Sequence, residues 1–290
     1  MNPRDDTSQP QAPAAVITGA TQGIGRALAD EFAKTGHTLL LVARTEATLA
    51  KAASEVSAQY NVPVHYVATD LSTAEGCDRV AEALDRHGLY AESLVNNAAI
   101  MTAGFFQDQE PETLLRLVDL NVRAVVDLTR RFLPDMLARG HGGVLNVASV
   151  EGFMPVPYQA TYAATKAFMI SFSRALAYEV MGTSVRICMV APGPIETDMH
   201  AKAGAENSRY VLYLPLMSPQ AMAEAAYRRF MRGNWVIVEG WMNRMIAFGV
   251  RFVPGIMLIP AVGWFFRVRD AEGNLQMPKP LAKPKPDSKT

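Results

Sequence analysis

An apolar run, a glycine-rich turn and an amphipathic stretch follow one another near the start of this chain and constrain its fold more than any other feature. Ala14, Ala15, Val16 and Ile17 are followed by Thr18, Gly19, Thr21, Gln22, Gly23, Ile24 and Gly25, and then Ala27, Leu28, Phe32 and Ala33 recur at helical spacing. Strand, glycine turn and helix in that order form the context of a dinucleotide fingerprint. Glycines let the chain turn tightly and let backbone N–H groups approach a pyrophosphate at a helix N-terminus. The spacing is Gly-x3-Gly-x-Gly rather than the commoner Gly-x-Gly-x2-Gly. Taken alone the turn leaves a plain structural role open, since glycines serve ordinary turns too.

The alternation continues. Apolar runs at 38–43, 64–68, 93–96, 143–148, 185–190 and 235–238 read as strands. Stretches at 46–60, 74–86, 111–137 and 158–181 carry helical periodicity, with Pro111 suited to a first turn. This predicts an α/β fold: one doubly wound domain around a mostly parallel seven-stranded sheet, over residues 13–242. An apolar extension spans 243–270, and polar tails at 1–12 and 271–290 are expected to be disordered. Residues 1–12 lack an apolar core, so they do not read as a signal peptide. Nearly half the residues are apolar, enough for a sizeable core, and a formal net charge of zero argues against a nucleic-acid footprint. Cys77 and Cys188 show no metal-ligand spacing, so no metal is expected, and their reduced state fits a cytoplasmic location.

Chemistry is written in a second constellation. Tyr162 and Lys166 stand four residues apart, which on a helix places both on one face. A cation near a phenol favours the phenolate, so Lys166 is expected to lower the Tyr162 pKa and let it exchange a proton with a substrate oxygen. Ser149, at the end of the fifth apolar run, can hold that oxygen as charge develops. The pair alone would be common by chance.

Together, the glycine turn, Asn96-Asn97-Ala98-Ala99, Ser149, Tyr162-x3-Lys166 and Pro192-Gly193 occur in one order and spacing. The chain thereby resembles the short-chain dehydrogenase/reductase family over roughly residues 12–240. From Ser218-Pro219 through Gly240-Trp241-Met242-Asn243-Arg244 it is similar to a bacterial subgroup akin to hydroxysteroid and long-chain 3-oxoacyl reductases. The resemblance implies that Asp70 bonds the adenine and Leu71 packs on its ring, and that the Asn97 and Ala98 backbone supports the cofactor. It implies that Ile195 contacts the nicotinamide, with Pro192, Gly193 and Thr197 beside it. Asn121 would hold a water linking Lys166 to solvent, and Lys166 would bind the ribose. Ala99 replaces a family glycine, at a cost if that position needs a positive φ.

Arg44 stands where NAD sites carry an acid, which favours the 2′-phosphate of NADP(H). Met199, His200, Tyr210, Leu212, Tyr213, Leu214 and Leu216 are expected to form a lid, and Phe153 to Pro157 the opposite wall, around an apolar substrate. The expected activity is reversible hydride transfer between NADP(H) and a ketone or secondary alcohol of steroid-like, 3-oxoacyl or aromatic type. The rivals are a cofactor-binding sensor without turnover and a membrane-attached lipid ketone reductase. The extension is interrupted by Arg251, Pro254 and Pro260, which argues against a spanning helix. Packing at the pocket rim or against a second copy in a homo-oligomer is expected, with at most peripheral membrane contact.

Overall fold

The computed structural model describes residues 11–270 and 273–279. Most of the two expected tails, residues 1–10, 271–272 and 280–290, lies outside the described residues. Strands β1 (Ala12–Thr18), β2 (Thr38–Ala43), β3 (Val64–Ala68), β4 (Leu89–Asn96), β5 (Gly142–Val147), β6 (Val185–Val190) and β7 (Val236–Ile237) form one sheet in the order β3-β2-β1-β4-β5-β6-β7. Every pairing is parallel. Order reverses between β1 and β4, and a ligand crevice opens beyond the carboxyl ends of strands at such a switch point.

Both faces of the sheet are covered, which is why the strands are apolar at successive positions. Ala15, Ile17, Leu39 and Leu41 face α1 (Gly23–Lys34), α2 (Glu46–Tyr60) and α9 (Pro219–Met231), packing on Phe32, Leu49, Val56, Met222 and Phe230. Ala14, Val16, Leu40 and Val42 point the other way. They join Val80 and Leu84 of α3 (Ala74–Arg86), Leu128 and Phe132 of α5 (Ala124–Arg139) and Ala177 of α6 (Ala160–Glu179). Local chemistry sets the helix ends: Thr73 and Ser218 accept from Gly76 N and Ala221 N to cap α3 and α9, and Gly140 ends α5 with a φ of 73°.

The expected long helix over 111–137 is divided. α4 (Pro111–Val118) passes through a π-helical turn at Asp119–Arg123 before α5 begins. The helix expected from Tyr158 starts at Ala160, because Tyr158 adopts a φ of 69°. β7 is two residues long where four were expected. Beyond β6 lie two short helices, α7 (Met199–Lys202) and α8 (Arg209–Tyr213), and beyond β7 lie α10 (Trp241–Gly249) and α11 (Gly255–Phe266). Among the described residues no helix is long and apolar enough to cross a membrane.

Candidate active site

A cleft of about 470 Å³ opens along the carboxyl edge of the sheet. At one end stands the glycine turn. Gly19 and Gly23 take φ values of 68° and 57°, which side chains disfavour, and a Cβ on Gly19 would lie 2.9 Å from Asn97 Nδ2. Gly25 has no such φ but packs so tightly that a Cβ would fall 2.2 Å from Gly19 O. Thr18 ties the turn to the neighbouring strand: its Oγ1 donates to Val95 O at 3.0 Å and accepts from Asn97 N and Ala98 N at 2.9 Å each. No side chain caps α1, so its first N–H groups are free to bind an anion. Arg44, Thr45 and Thr48 line the same end, and Lys202 reaches over from α7 to donate to Gln22 Oε1 at 3.2 Å. A bare backbone cradle, an uncapped helix terminus and two cations fit a phosphorylated dinucleotide.

At the other end β5 delivers Ser149 to a 3₁₀ turn, Val150–Phe153, where its Oγ accepts from Glu151 N at 3.2 Å. Tyr162 and Lys166 project from α6 into the cleft, and Nζ lies 5.6 Å from the ring centroid. Lys166 Nζ donates to Val147 O at 2.8 Å. Beneath the site a buried chain of amides and hydroxyls holds the strands in place. Asn96 Nδ2 donates to Asn146 Oδ1 at 2.8 Å, and Asn146 Nδ2 to Ser173 Oγ at 2.9 Å.

The electrostatics differ from the sequence expectation. Burial pushes the Tyr162 phenol up, the carboxyl of Glu151 pushes it further, and Ser149 opposes them. Burial also pulls Lys166 down to about 8, against the pull of Glu151. Glu151 itself is pushed up to about 8 by burial, with Lys166 opposing. The structure thus keeps the phenol protonated.

Gly19, Thr21, Gln22, Gly23, Ile24, Arg44, Leu71, Asn97, Ala98, Ser149, Tyr162, Lys166, Pro192, Gly193, Ile195 and Thr197 are brought together along one cleft. Three expected site residues stand outside it. Gly25 lies behind the turn as a packing glycine. Asp70 does not line the cleft: Oδ1 accepts from Ser72 N and Oγ at 3.0 and 2.8 Å, and Oδ2 from Arg116 at 2.6 Å. Asn121 is fully buried, bonded to Ile100 N and O at 3.0 and 2.9 Å and to Thr165 Oγ1 at 3.2 Å. Its side chain therefore braces the loop after β4 against α6 and makes no hydrogen bond to Lys166. Ala99 avoids positive φ and carries no such strain.

The segment expected to form a lid is divided. Met199, His200 and Tyr210 line the cleft, whereas Leu212, Tyr213 and Leu216 face outward. Met154 and Val156 do not line the cleft but pack behind Tyr210, with Val262 and Phe266 of α11. Sequence reasoning missed Lys202 and above all Glu151. A lone acid two residues after Ser149, inside an otherwise apolar stretch, was the available signal.

Comparison with known proteins agrees with this geometry. The sequence profile of the short chain dehydrogenase family matches residues 13–208, and the chain belongs to that family. An uncharacterized oxidoreductase of Bacillus subtilis, YvaG, is 32% identical over 225 residues, which cover 77% of this chain and 81% of that protein. The very-long-chain 3-oxoacyl-CoA reductase of Anas platyrhynchos is 36% identical over 190 residues, 64% of this chain and 60% of that reductase, so a large part of the relative has no counterpart in the match. A short-chain dehydrogenase from Sphingobium yanoikuyae in complex with NADPH has a TM-score of 0.74 at 31% identity, over 85% of this chain and 95% of that one. Membership makes the chain a hydride-transfer oxidoreductase that uses a nicotinamide cofactor on carbonyl or alcohol groups.

Proposed function

We propose that this protein is an NADP(H)-dependent reductase of ketones carried on apolar substrates. The observation that carries the reading is the convergence of Ser149, Tyr162 and Lys166 on a cleft whose far end holds Arg44 and Lys202. Two cations suit a cofactor with an extra phosphate. Around Tyr162 the surroundings are apolar: Met101, Leu117 and Ala205 are buried with it, and Met199 packs alongside. Such walls favour a greasy substrate and exclude water from the reacting oxygen.

A bound nicotinamide supplies or accepts the hydride. Ser149 Oγ holds the carbonyl oxygen and stabilises the charge that grows on it. Tyr162, held protonated by burial, donates the proton that completes the alcohol. Lys166, fixed by Val147 O, places its charge beside that phenol. Asn121 positions α6 through Thr165, whose Oγ1 donates to Tyr162 O at 2.7 Å. The working form is a homo-oligomer: Leu115, Val126, Phe168 and Tyr178 leave apolar side chains exposed on α4, α5 and α6.

The test is NADPH oxidation screened against steroids, 3-oxoacyl thioesters, aromatic ketones and quinones, with NADH in parallel. Turnover of at least one ketone is expected, and Tyr162→Phe is expected to abolish it while NADPH still binds by fluorescence. A Tyr162→Phe enzyme retaining more than about a tenth of the rate would remove Tyr162 as the proton donor. NADPH binding with no turnover across the panel would favour the sensor instead.

A further inference from the structure

Glu151 is a buried acid that the reaction just described does not use. It sits on the 3₁₀ turn immediately after Ser149, is 2% exposed, and lines the cleft with Tyr162, Lys166 and Tyr210. Its Oε2 has no hydrogen-bond partner among the described residues. No ion pair to it forms among the described residues, and Lys166, whose charge acts on it, donates instead to Val147 O at 2.8 Å. Leaving a carboxyl oxygen buried and unpartnered costs about 1–3 kcal/mol or more, and an apolar residue would fill the same space without that cost. The groups facing it leave the oxygen unsatisfied. Ser149 Oγ accepts from Glu151's own N–H and keeps its proton for the substrate oxygen, and neither Tyr162 nor Tyr210 hydrogen-bonds Oε2.

We infer that Glu151 is a specificity-determining residue whose carboxyl pairs with a hydroxyl group on the substrate, so that the preferred ketones carry a hydroxyl near the reacting carbonyl. The carboxyl lies on the same turn as the serine that receives the carbonyl oxygen, so the second polar group belongs close to the first. Around both, Met101, Met199 and Tyr210 offer only apolar surface or a phenol, which leaves the rest of the substrate apolar. A neutral hydroxyl fits better than an ammonium. Lys166 already brings one cation to this enclosure, and burial holds the Glu151 carboxyl largely protonated at neutral pH, able to donate and to accept. A site built to bond a substrate hydroxyl discriminates strongly against the analogue that lacks it, because its own polar group is then left unpaired.

This inference rests on the ketone reductase reading, and the experiment separates the two. Matched ketones with and without a hydroxyl one, two or three carbons from the carbonyl are compared, beginning with benzoin against deoxybenzoin. The wild-type enzyme is expected to favour at least one hydroxyketone over its partner by about tenfold or more in kcat/KM. Glu151→Leu is expected to collapse that ratio toward one, and Glu151→Gln, which keeps a donor and an acceptor, to retain most of it. NADPH affinity, read by fluorescence, is expected to stay within about threefold in both variants, a shift under ~0.7 kcal/mol. No turnover of any ketone would sink the reductase reading itself. Turnover with no discrimination in any pair would overturn the role of Glu151 alone. So would an equal loss on both members of each pair, which marks a positioning role, or a loss of NADPH affinity that accounts for the rate loss. A preference for aminoketones over hydroxyketones would overturn the neutral partner.

Discussion

At the scale of single residues, two side chains carry charge arguments that can be measured. Arg44 lines the cleft at the end of β2 with no hydrogen bond or ion pair to the described residues, so its guanidinium is available to a phosphate. Arg44→Asp replaces a phosphate partner by a group that repels phosphate and accepts from a ribose hydroxyl. The ratio of kcat/KM for NADPH over NADH is expected to fall by about tenfold or more, a loss of ~1.4 kcal/mol of discrimination. An unchanged ratio would remove Arg44 from the cofactor site. Glu151 makes a different prediction, about stability. Its folded-state pKa is raised to about 8 from 4.5, so between those values the folded protein holds a proton that the unfolded chain has released. The sign follows: stability falls as pH rises from about 5 to 8, because the unfolded state binds fewer protons over that window. The facing groups are Lys166 and Tyr162 on α6 and Tyr210 on α8, while α10 sends its Arg244 to Val238 O and toward Glu239 instead. Glu151→Gln removes the titration. Thermal melts should show the variant gaining stability over wild type at pH 8 and little at pH 5, and a gain equal at both would refute the buried titration.

At the scale of elements, the first βα unit holds its shape through close backbone contact. A Cβ on Gly25 would meet Gly19 O at 2.2 Å and Asn97 Nδ2 at 2.3 Å, so Gly25→Ala must separate the turn from the loop after β4. Overpacking of this kind costs ~1–3 kcal/mol, and both the melting temperature and NADPH affinity should drop. Unaltered values for both would mean that the turn yields without consequence. This unit was also the part most legible in the sequence, because strand, turn and helix are neighbours along the chain and their residue choice is dictated locally. The seven strands were legible for a similar reason: burial on two faces forces apolar runs such as Thr38–Ala43. Features decided by distant contacts were not. The π-helical turn at Asp119–Arg123 breaks no apolar pattern, and the commitment of Asp70 to Arg116 joins residues far apart in sequence. The Gly240-to-Arg244 stretch could be noticed but not explained. Asn243 packs against Gly193, where a Cβ would lie 2.4 Å from its Oδ1, and Arg244 donates to Val238 O at 2.8 Å, so the stretch holds the edge of the sheet beside the cleft.

At the scale of the whole molecule, the C-terminal helices join α8 to the residues behind the cleft. Phe266 stacks on Tyr210 with ring centroids 4.2 Å apart, and Val262 is buried with Val156 and Ala163. Arg209 lies over the Trp264 ring at 3.9 Å and donates to Trp264 O at 3.1 Å. Since Tyr210 lines the cleft from α8, α11 sets where this cleft residue rests. The outer faces are a different matter. Trp241, Met245, Phe248, Phe252, Ile256 and Met257 are exposed on α10, on α11 and between them, a patch large enough to associate with another apolar surface. Removal of everything after Gly240 therefore has two opposing consequences. It deletes that patch, which by itself would reduce aggregation, and it uncovers Tyr210, Val156 and Ala163 beside the cleft. The second is expected to dominate, because Tyr210 is both buried and part of the site, whereas the patch is already in water. The truncated protein should keep its α/β fold by circular dichroism, lose its activity on bulky ketones at least tenfold more than on small ones, a difference of ~1.4 kcal/mol, and aggregate sooner on heating. Equal loss on small and bulky ketones would show that α11 supports the fold rather than the placing of Tyr210. Flotation of the full-length protein with anionic vesicles, lost on truncation, would assign the outer patch to a lipid surface. An unchanged size in light scattering after truncation would place any self-association on α4, α5 and α6.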